Sequence, residues 1–208
     1  MCAWKPKQES NFAPRELIPV GTHEARCYGL VDLGTHPRPD YLGKPKSPAQ
    51  KIMFFFEFPE LKKVFKEENG EEPMVKHTEF TFIFGDNSNL VKTLKPWIGD
   101  PQLFDLSQCI GRPAQVKIVH TQGKKDPSKT YDNIETVSEM SPKLIKMLEK
   151  QHNSNMVFNI DEHGFDSKEF SALYEWLKKI IMESLEYKEY LNGPAEEAPA
   201  TAECPFPA

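Results

Sequence analysis

The sequence predicts a β-rich α+β fold, and three observations lead there. Five apolar segments alternate with period two, as strands do: residues 25–33, 51–58, 77–84, 113–120 and 130–137. One helical stretch, 88–98, interrupts them after the third. Two basic loops, 36–50 and 122–129, join strand one to two and strand four to five. Three strands, a helix and two strands is the order of the five-stranded, partly open barrel called the OB-fold. That barrel holds nucleic acid on its second and third strands and on the same two loops. A helical C-terminal extension completes the prediction.

Each element follows from local sequence. Residues 1–19 are expected to form a flexible arm, because the first fourteen are polar, aperiodic and contain two prolines. Pro19 and Gly21 punctuate the start of the first strand, where Ala25, Cys27 and Gly29 share a face. The segment 34–50 contains Pro37, Pro39, Pro45, Pro48 and Gly43, which argues for a loop and against strand interior. At 17 residues it is longer than ordinary connections, which marks it as functional or disordered. In the second strand Ile52, Phe54, Phe56 and Phe58 form the core row, leaving Met53 and Phe55 on the outer face beside Lys51. In the third, Phe80, Phe82 and Phe84 point in, and His77, Glu79, Thr81 and Ile83 point out. Between them, 59–76 reads as an exposed, mobile hairpin extension.

Asp86, Asn87 and Ser88 are good N-caps for a helix whose Leu90, Leu94 and Trp97 share a face, and Pro96 should end or kink it. A shorter helical turn, 104–110, precedes the fourth strand. Beyond Val137 the pattern turns helical. Residues 142–151 come first, then a polar connection, then one long helix over 166–191 with the stripe Phe170, Leu173, Tyr174, Leu177, Ile180, Ile181 and Leu185. The expected organisation is therefore a barrel domain at 20–140 and a helical extension at 141–191. A disordered tail follows at 192–208, rich in Pro, Ala and Glu.

Composition narrows the class. The 208 residues, 38% hydrophobic and 27% charged, suit a soluble globular chain with one sizeable core. No apolar run approaches the ~20 residues that span a bilayer, and the first ten residues lack the apolar region of a secretory signal. The four cysteines are far apart and form no C-x-x-C pair, which points to reduced thiols and the cytoplasm. The net charge of −5 is unevenly spread. Residues 1–150 hold 22 Lys and Arg against 20 Asp and Glu, whereas residues 151–208 hold 4 against 11. A near-neutral to basic body with an acidic tail is an asymmetry seen in nucleic-acid proteins, although such tails also serve solubility.

Single-stranded nucleic acid is held by a basic groove that follows phosphates and by aromatic rings that stack on bases, worth ~1–3 kcal/mol each. The candidate phosphate ligands are Arg38, Lys44, Lys46, Lys51, Lys117, Lys124, Lys125 and Lys129. The candidate stackers are Tyr41, Phe55 and Tyr131, with Trp4 in the arm. Any one of these lysines reads more readily as a solubilising charge than as a ligand; two basic loops together point to a groove. His36, His77 and His120 lack metal-ligand spacing. There is no P-loop, G-x-S-x-G or H-E-x-x-H motif and no carboxylate cluster suited to two metals, so neither an enzyme nor a cofactor is expected. At the very end Glu196, Glu197, Glu203 and Phe206 form an acidic, hydrophobic-tipped segment suited to docking a protein partner.

Several stretches resemble a family of tailed-bacteriophage single-stranded-DNA-binding proteins of OB-fold type. They are VDLGTHPRPDYLGKPKSPAQKIMFFFEFPE, HTEFTFIFGDNSNLVKTLKPWIG, FDLSQCIGRPAQVKIVH, YDNIETVSEMSP and ALYEWLKKIIMESLEYK. They cover about residues 30–190 in order. The acidic insert Glu67–Glu72 departs from the pattern. The resemblance implies single-stranded DNA as partner, a role in phage DNA replication or recombination in the host bacterial cytoplasm, and no catalysis. Phage replication or recombination proteins would dock on the tail. The competing expectation is a non-catalytic interaction adaptor of phage replication or host takeover, working through the long helix and tail. A homo-oligomer is left open.

Overall fold

The longest alternation makes the longest strands. In the computed structural model β1 (Gly21–Tyr41) and β2 (Lys44–Val64) each run 21 residues as an antiparallel pair. The structure describes residues 16–41, 43–124 and 126–193, with the backbone alone at Tyr41. Trp4, Lys125 and the tail residues Glu196, Glu197, Glu203 and Phe206 lie outside the described residues.

β3 (Glu71–Thr81) pairs with β2 after a tight turn at Glu67–Asn69. β4 (Pro113–Gln122) pairs with the first part of β1, and β5 (Thr130–Ser138) with β4. The resulting order, β3-β2-β1-β4-β5, is a curled antiparallel half-barrel of five strands.

Its inner face is the first core. Ile52, Phe54, Phe56 and Phe58 of β2 meet Ala114, Val116 and Ile118 of β4 there, all buried. Burial of that many phenylalanines dominates the energetics, because each large side chain removed from water contributes ~1.5–3 kcal/mol. Between β3 and β4 the chain forms α1 (Asn89–Ile98). Ser88 caps it, its Oγ accepting the Val91 N–H at 3.2 Å. Leu90, Leu94 and Trp97 enter the first core, and the Trp97 indole N–H donates to the Pro113 carbonyl at 2.8 Å. Pro96 does not end the helix: α1 continues through it to Ile98, and the Pro96 carbonyl accepts from Glu139 N.

The outer face is covered as well. α2 (Pro142–Met147) leads to β6 (Met156–Phe158), which adds to β1 in parallel opposite Gly29–Val31. Gly29 permits that approach: a Cβ there would stand 3.1 Å from the Met156 Cε and from Phe55. Then α3 (Ile160–His163), α4 (Lys168–Ala172), α5 (Glu175–Ile181) and α6 (Leu185–Asn192) fold over the outer rows of β1 and β2. The single helix expected over 166–191 is thus three short ones. Ser167 and Ser184 cap α4 and α6 with their hydroxyls, and Tyr174 is extended. The apolar stripe survives the breaks except at Tyr174 and Leu185, which are exposed. Phe170, Leu173, Leu177 and Ile181 all bury into a second core with Tyr28, Val31, Leu33, Met53 and Phe55. A curled sheet cannot be followed by one straight rod, so the breaks let the stripe bend with it.

Glu57 locks this layer to β2. Fully buried, its carboxylate accepts the backbone N–H groups of His152 and Asn153 and the Asn153 side-chain amide, at 2.7–2.9 Å. A buried carboxylate is tolerated when donors satisfy it in this way.

Candidate nucleic-acid interface

The segment 34–50, expected to be a loop, is instead a two-stranded ribbon. β1 and β2 stay paired from Thr35↔Gln50 through Arg38↔Lys46 to Tyr41↔Lys44. The prolines are accommodated because the pairing register shifts between His36 and Arg38 and again between Arg38 and Tyr41, and bulges and irregular pairs tolerate a residue without an N–H. Lys44 and Lys46 are exposed near its tip. Arg38 turns across the ribbon, its Nε donating to the Ser47 carbonyl at 2.7 Å. It borders an open groove of ≈ 470 Å³ whose other wall includes Glu79, Thr81, Ile83 and Asn87.

That groove lies along the outer row of β3. Lys51 reaches the same row and pairs with Glu79 at 2.8 Å. At the far end of the row, His77 carries the Trp176 ring, with centroids 4.9 Å apart and planes inclined by 33°. Trp176 is 39% exposed and lies nearly parallel to Tyr174, which is 48% exposed. His77 and Thr81 are four residues apart on one strand, a span of about 13 Å. The outer row of β3 therefore runs from an aromatic platform to a guanidinium.

Phe55 is not part of that surface. At 2% exposure it is wedged between Tyr28, His77 and Trp176, with centroids 5.5–6.2 Å away. The expected stacker is a core residue because the C-terminal helices cover its face. Trp176, which covers it, presents the exposed ring there instead. The sequence reading missed Trp176 and the platform role of His77, and it placed Tyr174 in the apolar stripe, whereas the structure exposes it beside Trp176. The signal available was Trp176 itself, an aromatic adjacent to the Leu173/Leu177 stripe but outside it.

The second basic arm sits elsewhere. Gly21↔Ile118 places the β4–β5 turn beyond the start of β1, and Tyr41↔Lys44 places the ribbon tip at its end. The two basic turns therefore occupy opposite ends of one strand. In the β4–β5 turn Gly123 N–H donates to the Lys129 carbonyl at 2.8 Å. Asp126 accepts from the Ser128 hydroxyl and N–H, which holds its carboxyl below the usual range. Lys129 stands 3.6 Å from Asp126, and Lys117 pairs with Glu135 at 2.6 Å. Lys124 and Tyr131 are exposed in this arm.

His36 and His120 each bond a backbone carbonyl, at 2.8 Å. Among the described residues no group of His, Cys, Asp or Glu is arranged to hold a metal ion, and no helix is long and apolar enough to cross a membrane. Comparison with protein-family models, curated proteins and solved structures finds no match.

Proposed function

We propose that the chain binds single-stranded DNA without strong sequence preference, on an OB-like barrel, in bacteriophage DNA replication or recombination. One observation carries the reading: the outer row of β3 has an exposed tryptophan packed on His77 at one end and the Arg38 ribbon at the other. Exposed rings suit bases, and a ribbon bearing Arg38, Lys44 and Lys46 suits phosphates. The half-barrel is compatible with an OB-like fold. The phage setting rests on the sequence resemblance. The proposed role is to coat exposed strands, without catalysis, with the acidic tail docking replication proteins.

The test is fluorescence anisotropy of a labelled single strand of about 30 nucleotides, at low and moderate salt, with a duplex as control. Binding should favour the single strand and weaken with salt, because phosphate contacts release counterions. A Lys44→Ala/Lys46→Ala variant should bind more weakly. Absence of binding at low salt, also after removal of residues 194–208 to exclude self-competition, would overturn the reading and favour the adaptor.

A further inference from the structure

A cavity of ≈ 510 Å³ lies at the edge of the first core. It is half open, bordered by the inner rows of β1 and β2, the residues after β3, the linker 101–107, β6 and α3. That volume falls in the range of small-molecule sites, which favour such positions in barrels. Its apolar wall includes Ile52 and the Phe82 and Phe84 rings, which meet edge to face at 4.8 Å. Its acidic groups are Asp32, whose pKa burial raises, and the exposed Asp105 and Glu162. Among the described lining residues there is no Lys, Arg or His.

We propose that this cavity binds a linear aliphatic polyamine. The lining disfavours anions, since its acidic side chains face no lining cation; the nearest guanidinium, Arg112, lies behind the Phe104 ring at 5.4 Å. The carboxylates are also not gathered as metal ligands. An elongated cation resolves both constraints. Its ammonium groups would meet the two exposed acids, Asp105 and Glu162, and its methylene segments the phenylalanine rings, whose faces attract cations.

The geometry prepares the acids for this role. The buried Asp32 is held in place by the Gly34 N–H on Oδ1 and the Gln50 amide on Oδ2, both at 2.9 Å. Asp105 is oriented by the Ser107 N–H and hydroxyl, at 3.0 and 2.7 Å. Glu162 stands in the first turn of α3 and is exposed. The proposal does not depend on the DNA reading.

The test is isothermal titration of the full chain with spermidine at moderate salt, against hexaamminecobalt(III), a compact cation of equal charge. Spermidine should saturate at one per chain and bind more tightly than the cobalt complex. Asp105→Asn/Glu162→Gln, at two exposed positions, should weaken it at least about tenfold. Phe84→Leu, which keeps apolar volume and removes the ring, should weaken it too. Three results would each overturn the proposal: no saturable spermidine binding, equal binding of the cobalt complex, or affinity unchanged in the carboxylate variant while its fold is intact.

Discussion

Lys76 Nζ donates to Asp132 Oδ1 at 2.7 Å, and the bond joins the two edge strands of the half-barrel, β3 and β5. The Asp132 side chain is 2% exposed and that of Lys76 12%. The second Asp132 oxygen accepts the Ile18 N–H at 3.2 Å. An ion pair thus spans the opening where a closed barrel would have a ladder.

Removing Asp132 leaves the mostly buried Lys76 ammonium without its carboxylate. Asp132→Ala should destabilise the fold by ~3–5 kcal/mol, whereas Lys76→Met/Asp132→Leu should recover most of that loss. Urea unfolding of the three proteins measures both effects. Equal stability of wild type and Asp132→Ala would show that the pair does not hold the edges.

Gly34 sits at φ +79°, and a Cβ there would come within 2.6 Å of the Ser184 Cβ. Gly34→Ala should therefore cost ~1–3 kcal/mol through backbone strain alone, and more through the clash. The damage should be local, loosening α6 from β1. Amide exchange at Tyr187–Tyr190 should rise more than exchange in β4.

Glu186 ties α6 to β1 by accepting the Thr35 N–H at 2.8 Å. Burial acts to raise its pKa, but the bonds from Thr35 and Ser184 outweigh it, and the net shift is downward. A depressed carboxylate contributes stability above its unfolded pKa and loses it as pH falls through the folded one. Acidification below the ordinary glutamate range should release α6, and Glu186→Gln should remove the Glu186 part of that pH dependence. Tyrosine fluorescence of both proteins between pH 3 and 6 follows the transition, the window being set by the ordinary carboxylate range.

Phe55 and Trp176 should separate by function. Phe55→Ala empties a core site and should cost ~3–5 kcal/mol of stability. Trp176→Ala should leave the fold largely intact yet lose ~1–3 kcal/mol of single-strand binding if the platform stacks a base. In the ribbon, Lys44→Ala/Lys46→Ala should lower the salt slope by about 1.4, at ~0.7 per phosphate contact. A Trp176→Ala protein that binds as wild type does would remove the platform from the interface.

The sequence made the rows legible. Period two in 51–58 placed Ile52, Phe54, Phe56 and Phe58 inside, and the structure buries all four. The same run held an unread signal. Met53 and Phe55 make the opposite row apolar too, which is the mark of a strand covered on both faces. Their partners, Leu177 and Phe158, are a hundred or more residues away, beyond the reach of local periodicity. Breaks in the C-terminal helix were hidden because the stripe keeps helical spacing across them. Lys76 and Asp132 were invisible for a related reason: each is one charge on an otherwise inward row, and the pairing depends on how far the sheet curls.

The second core also bears on how the chain is made. β6 and the helices after it leave the ribosome well after Tyr28, Val31, Met53 and Phe55, the residues they cover. Until about residue 181 has emerged, a nascent chain displays that apolar face to its surroundings. Fragments cut at the end of β5 would carry the same face permanently and should aggregate when expressed. A shortened chain for crystallisation or display should therefore retain residues 156–192.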